Sequence, residues 1–189
     1  MIEVEIRGEL TKEKFDELNK YFSENGKILE TQDREMILLR DTIGYDEDPT
    51  IRKVDIRIRK TNGDTEIMVK EMKSAGNVAR SEKQYKMGQI SIDEAKEFVK
   101  FFGSQKGQWM HRKKNVYEYG GGHWSLVEAV PGIYYYELEQ EVEEGTDLEA
   151  VRTELVKIVD SMSLPHFTSQ EYKAFIEMLG EKVNKYIEW

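Results

Sequence analysis

Three separate stretches of this chain alternate charged with apolar side chains at every second residue, and that repetition restricts the fold more than any other feature. In the first, Met1-Ile2-Glu3-Val4-Glu5-Ile6-Arg7-Gly8, the side chains of Glu3, Glu5 and Arg7 share one face of a strand, with Ile2, Val4 and Ile6 on the other. The pattern returns where Lys53, Asp55, Arg57 and Arg59 alternate with Val54, Ile56 and Ile58. It returns again where Glu137, Glu139 and Glu141 alternate with Tyr136, Leu138 and Val142. One such strand alone reads as half-buried, with its charges in water. Several, carrying ionic faces of both signs, predict a closed β-barrel whose lumen is lined by charge and whose apolar backs lie under helices. The functional chemistry is then expected inside the barrel.

The intervening sequence supplies those helices. Thr11 caps a helix carrying Phe15, Leu18 and Phe22, stopped by Asn25-Gly26. Residues 27–41 predict one or two strands, followed by an acidic turn at Asp46-Glu47-Asp48-Pro49. Asn62-Gly63 between two alternating runs predicts a β-hairpin over 53–72. Ser74-Ala75-Gly76-Asn77 is a loop, and Val78 to Met87 a charged strand. Ser91 to Glu94 forms a capping box ahead of Ala95, Phe98, Val99 and Phe102, with Gly103 as the stop. From 107 to 142 three strands are separated by Gly120-Gly121-Gly122 and Pro131-Gly132 turns. Thr146 to Glu149 reads as a capping box opening a helix through Leu148, Val151, Leu155, Ile158, Val159 and Met162, closed by Pro165. Thr168 to Glu171 caps a last helix running through Tyr172, Phe175, Ile176, Leu179, Val183 and Ile187. The sum is an α+β fold with a closed antiparallel eight-stranded barrel and helices packed outside it. The whole chain, 1–189, reads as one domain, with its C-terminal helices, 146–189, on the barrel.

Composition excludes several kinds of chemistry. Without cysteine there is no disulfide, thiolate zinc site or cysteine nucleophile, which fits a reducing, cytoplasmic setting. No stretch is long or apolar enough to span a membrane, and the alternating charges of the N-terminus do not form a signal peptide. A net charge of -9 argues against general nucleic-acid binding. The cations nevertheless cluster at 52–60 and 111–114, which suits a small, highly anionic ligand. The glycine triplet lacks the Lys-Ser/Thr and helix of a phosphate loop. His111, His123 and His166 have no metal-ligand spacing, and Trp109, Trp124 and Trp189 read as packing residues.

Taken in order, the charged strands resemble those of the CYTH family, the triphosphate tunnel metalloenzymes. Glu3-Val4-Glu5-Ile6-Arg7 resembles the family's Glu-x-Glu-x-Lys start, Arg57-Ile58-Arg59 its Arg-x-Arg strand, and Met68-Val69-Lys70 its next strand ending in Lys. Arg80-Ser81-Glu82 resembles its Arg-x-Glu element, Arg112-Lys113-Lys114-Asn115-Val116-Tyr117 its paired-cation strand, and Tyr136-Glu137-Leu138-Glu139 its closing Glu-x-Glu. The resemblance implies that Arg57, Arg59, Lys70, Arg80, Arg112 and Lys114 bind a small-molecule triphosphate. It implies that Glu3, Glu5, Glu128, Glu137 and Glu139 hold Mg2+ or Mn2+, and that Glu5 and Arg7 are catalytic.

The reaction implied is an in-line displacement at phosphorus. A triphosphatase hydrolyses inorganic triphosphate, thiamine triphosphate or a nucleotide with water. A class IV adenylyl cyclase instead uses the ribose 3'-hydroxyl of ATP, releasing cyclic AMP and pyrophosphate. The third alternative is a triphosphate-binding module without turnover. Three features depart from the family pattern: Arg7 stands for its Lys, Arg112 and Lys114 reverse its Lys-x-Arg order, and Glu128 stands for a common Asp.

Overall fold

The computed structural model describes residues 2–73 and 79–189, so the expected 74–77 loop and Val78 lie outside the described residues. The elements are, in chain order, β1 (Ile2–Leu10), α1 (Lys12–Asn25), β2 (Lys27–Leu39), β3 (Val54–Thr61), β4 (Asp64–Met72), β5 (Ala79–Gly88) and α2 (Ile92–Lys100). They continue as β6 (Lys106–Tyr119), β7 (Gly122–Ala129), β8 (Ile133–Val142), α3 (Leu148–Ser161), α4 (Ser169–Lys182) and β9 (Lys185–Glu188). Eight strands form an antiparallel ring in the order β2-β3-β4-β5-β1-β8-β7-β6, which the pairing of β6 with β2 closes. The ring is not evenly round. Among the described residues, strand β1 meets β5 at Ile2 to Val4, whereas it runs beside β8 from Ile2 to Leu10.

Local sequence explains the tight connections. Asn62 and Gly63 both take positive φ, 50° and 102°, as a two-residue turn matching the strand twist requires, and Thr61 pairs with Asp64 across it. The apolar backs of the strands bury where alternation places them. Ile2, Val4 and Ile6 of β1 join Trp124, Leu126 and Leu138 in a core covered by Leu18 and Phe22 of α1 and by Leu155 and Val159 of α3. Burying such a side chain contributes about 1.5–3 kcal/mol, so this outer layer is a principal source of stability. Helix α2 lays Ala95 and Val99 on Ile37, Leu39 and Ile58 of β2 and β3.

Helix α4 does not lie outside the ring with the others. Its Phe175 and Leu179 pack against Val127, Ala129 and Tyr135, which face inward, so α4 closes one end of the lumen. Three contacts fix it there. Gly8 lies so close to the segment before α4 that a Cβ would stand 1.9 Å from the Pro165 carbonyl oxygen. The Phe167 amide donates to the Arg7 carbonyl at 2.8 Å, and Lys173 reaches Asp48 at 2.7 Å. The acidic turn at 46–49 is therefore a tether for α4, not merely a solvated connection.

Residues 27–39, expected as one or two strands, are one, with an irregularity between Ile28 and Glu30. Three local expectations change. Asp147 caps α3, accepting from the Glu149 and Ala150 amides, because its short carboxylate reaches them directly and leaves Glu149 out of capping-box position. Helix α2 ends at Lys100, and Phe98 and Phe102 stack on each other at the surface, 5.2 Å apart, rather than facing the ring. The last helix stops at Lys182, and Ile187 belongs to β9. Pairing of β7 with β6 ends at Arg112, leaving the β6 backbone from Lys106 to Trp109 in need of partners, which β9 supplies.

Candidate active site inside the ring

The period of two that buries Ile2, Val4 and Ile6 under helices turns Glu3, Glu5 and Arg7 into the lumen. The same parity on β3, β4, β5, β6 and β8 brings Arg57, Arg59, Lys70, Arg80, Arg112, Lys114, Glu137 and Glu139 to that cavity. Its volume is about 280 Å3. All the expected site residues except one thus converge. The exception is Glu128, which registers with Lys113 on the outer side and lines a separate depression with Phe15 and Asn115. Ser125, Val127 and Ala129 hold the inward parity of that strand, so Glu128 leaves the metal-ligand set.

Charges inside the ring are arranged as a network of ion pairs. Lys70 bridges Glu3 and Glu82, each at 2.8 Å, and Arg59 binds Glu66 and Glu82. Arg57 grips Asp55 through two hydrogen bonds of 2.7 Å. Lys114 meets Glu137 at 2.7 Å, while Arg7 pairs with Glu5 and with Glu137. Arg7 also stands 4.9 Å from the ring centre of Tyr172 on α4. Each of these cations is held in place before any ligand is considered.

Protonation follows from the same contacts. Burial pushes the Glu82 carboxyl up, but Lys70 and Arg59 outweigh it and bring it down to about 2. Burial likewise opposes ionisation of Glu5 and Glu137; Arg7, Arg80 and Lys70 hold Glu5 below its ordinary value, and Lys114 and Arg7 do the same for Glu137. Arg7 is held well above the usual guanidinium range by Glu5, against its burial. It cannot exchange a proton near neutrality. Glu139 behaves oppositely: burial, then Glu137, Glu3 and Glu5, push it up to about 7 despite Lys114. Carboxylate charge is in excess at that point of the lumen.

That excess bears on metal binding. Among the described residues no three acidic or histidine side chains are gathered closely enough to hold a metal ion as they stand. The donor set nevertheless fits a hard divalent cation, because Glu5 and Glu139 register directly across β1 and β8, with Glu3 and Glu137 on the same face. A cation there would offset the burial and the neighbouring carboxylates that together raise Glu139.

Strand β2 holds lumen residues that the alternation did not single out. Glu30, Gln32 and Arg34 face the cavity. Their neighbours Thr31, Asp33 and Glu35 are exposed, so both faces of this segment are polar and its parity is invisible in the sequence. Tyr172 was similarly hidden, as one aromatic in a helical stripe that otherwise reads as packing.

The CYTH domain model matches residues 1–171. The chain belongs to the CYTH family. Solved structures agree on the fold of this CYTH chain. A Pyrococcus horikoshii protein is 20% identical, with a TM-score of 0.71 over 93% of this chain and 99% of its own. A Vibrio parahaemolyticus protein described as an adenylate cyclase candidate is 16% identical, with a TM-score of 0.66 over 90% and 97%. A Hippeastrum protein, described as an adenylyl cyclase candidate that reveals a dominant triphosphatase activity, is 17% identical, with a TM-score of 0.58 over 87% and 89%. No curated protein matches the chain. No helix among the described residues is long and apolar enough to cross a membrane.

Proposed function

We propose that this CYTH protein is a divalent-metal-dependent triphosphatase that binds its substrate in the ring and hydrolyses a phosphoanhydride bond. The observation carrying this reading is the lumen itself: eight cations and six carboxylates line one cavity of a chain whose net charge is -9. Desolvating an ion costs several kcal/mol, and well-packed apolar side chains would stabilise such a centre at least as well. So many charges are therefore better explained by a polyanionic ligand than by stability. A triphosphate entering the ring replaces carboxylates as partner of Arg57, Arg59, Lys70, Arg80 and Lys114, and neutral acceptors as partner of Arg112, with guanidinium forks gripping two oxygens each.

Glu3, Glu5, Glu137 and Glu139 would hold the metal, Mg2+ or Mn2+, which supplies charge neutralisation between carboxylate and phosphate oxygens. Glu5, kept ionised, accepts a hydrogen bond from the attacking water. Arg7, permanently protonated, orients Glu5 and Glu137 rather than acting as a base. The surrounding cations stabilise charge on the transferred group and the leaving phosphate.

Hydrolysis is favoured over cyclisation by size and lining. A cavity of about 280 Å3 lies at the small end of the ~300–1,000 Å3 typical of organic-ligand sites. Tyr135 and Phe175 meet edge to face at the end closed by α4, their ring centres 5.4 Å apart, so each is already engaged by a protein ring. The test is incubation with Mg2+ or Mn2+ and tripolyphosphate, thiamine triphosphate or ATP, measuring phosphate, pyrophosphate and cyclic AMP. Phosphate release is expected. Cyclic AMP with pyrophosphate would replace this reading by the cyclase, and binding without product by the non-catalytic module.

A further inference from the structure

Most lumen cations have a carboxylate within ion-pair distance, but two on adjacent strands do not. Arg34 of β2 directs its Nε to the Thr61 hydroxyl at 2.8 Å. Arg112 of β6 spends its guanidinium on the His111 carbonyl oxygen and the Asn184 side-chain oxygen, both at 2.8 Å. These acceptors are neutral. Among the described residues neither arginine makes an ion pair, and the two are direct partners in the β2–β6 register, on the lumen face. Like charges placed directly opposite repel, and the low polarity of the surroundings strengthens the repulsion. Burial, together with the nearby Arg59, brings Arg34 down to about 10.

A second observation points the same way. Two residues along β2 and β6, Gln32 stands opposite Lys114, only 8% exposed, and its Oε1 is buried with no hydrogen-bond partner. The strip therefore offers two guanidinium groups without a carboxylate in ion-pair contact and one buried amide oxygen without a hydrogen-bond donor. A terminal phosphoryl meets both demands. It carries two ionisable oxygens on one phosphorus, and when singly protonated its P–OH can donate to the amide. An internal or cyclic phosphate has one ionisable oxygen per phosphorus and no such hydroxyl.

We propose that Arg34, Arg112 and Gln32 form a terminal-phosphate subsite, which makes the protein select linear polyphosphates over cyclic ones. Arg34 is a binding and specificity residue that no alternating motif marks. The assignment rests on the reading of the lumen as a phosphate site, and the test separates the two.

Titration calorimetry in Mg2+ compares linear tripolyphosphate with cyclic trimetaphosphate on the unaltered chain, Arg34→Gln, Arg34→Lys and Arg57→Ala. The unaltered chain is expected to prefer the linear anion. Arg34→Gln should cut affinity for it about tenfold or more while changing cyclic binding less than twofold, and Arg34→Lys should fall between. No detectable binding of the cyclic anion agrees with the subsite, provided the loss for the linear one occurs. Equal losses for both anions, or no linear preference in the unaltered chain, would overturn it. Unchanged linear binding in a folded Arg34→Gln with loss in Arg57→Ala would refute the subsite alone. Unchanged binding in Arg57→Ala as well would remove the lumen reading on which it rests. Should Arg34→Gln fail to fold, Arg34→Lys decides on the same comparisons.

Discussion

The two opposing walls of the lumen differ in charge. Strands β1 and β8 present Glu3, Glu5, Glu137 and Glu139 with Arg7 as their one lining cation, whereas β3, β2 and β6 present Arg34, Arg57, Arg59, Arg112 and Lys114 against Glu30. The mixed face of β4 and β5 connects them through Lys70, Arg80 and Glu82. Had the charges served only to satisfy each other, each wall would have been free to mix signs, since cross-strand pairs of opposite charge are the favourable arrangement. Segregation leaves Glu139 among carboxylates and Arg34 beside Arg112. On the function proposed above, a metal cation would complete the acidic wall and a phosphate anion the basic one.

The largest expected effect breaks the cationic wall. Arg57→Ala or Arg59→Ala should weaken tripolyphosphate binding by about 100-fold, the loss of a charge-assisted fork, with circular dichroism retained. Calorimetry checks it, and full affinity in both variants would place the anion elsewhere. Next comes the acidic wall. Glu137→Gln combined with Glu139→Gln should abolish the dependence of phosphate release on Mg2+ or Mn2+, as chelation of metal from the unaltered chain should abolish turnover; a double variant with the original metal titration would contradict the ligand assignment.

A smaller effect tests the cost of charging Glu139 in its buried, acidic surroundings. Because Glu139 is raised from its ordinary 4.5 to about 7, the folded protein holds that proton more tightly than the unfolded chain across this window. Its contribution to stability is therefore lost as pH rises from about 4.5 to 7. Glu139→Gln should stabilise the metal-free protein by roughly 1–3 kcal/mol at pH 8 and hardly at all at pH 4, which urea unfolding at the two pH values measures. Glu82 has the opposite sign: lowered to about 2, it contributes stability that is lost only as pH falls through the acid range. The smallest expected effect is at Glu128. On the outer face, Glu128→Gln should leave the metal titration unchanged and shift stability by less than about 0.5 kcal/mol. A changed metal affinity would return it to the acidic wall.

Legibility varied with the chemistry of the opposite face. Where a charged face backs onto aliphatic residues, as with Arg57 and Arg59 against Ile56 and Ile58, period two separates inside from outside without coordinates. Where both faces are polar, as at Glu30 to Glu35 in β2, nothing distinguishes Arg34 from a solvated residue, and the site was incompletely read there. Glu128 failed differently. It follows Leu126 by two, and its strand carries apolar residues on both faces, with Val127 and Ala129 covered by α4 inside the ring. Its parity gave no independent check on the family pattern.

By itself the sequence determined the strands of the ring, the caps of α1, α2 and α4, the Asn62-Gly63 hairpin and the expectation of an ionic interior, because these depend on neighbours one to four residues apart. Tertiary structure alone decided which charges meet across the ring, that α4 closes one end instead of lying outside, and that Lys185–Glu188 extends the sheet beside β6. Those outcomes depend on groups as distant as Asp48 and Lys173, or Arg112 and Asn184, whose encounter is set by ring closure and by backbone groups seeking partners. No local period carries that information.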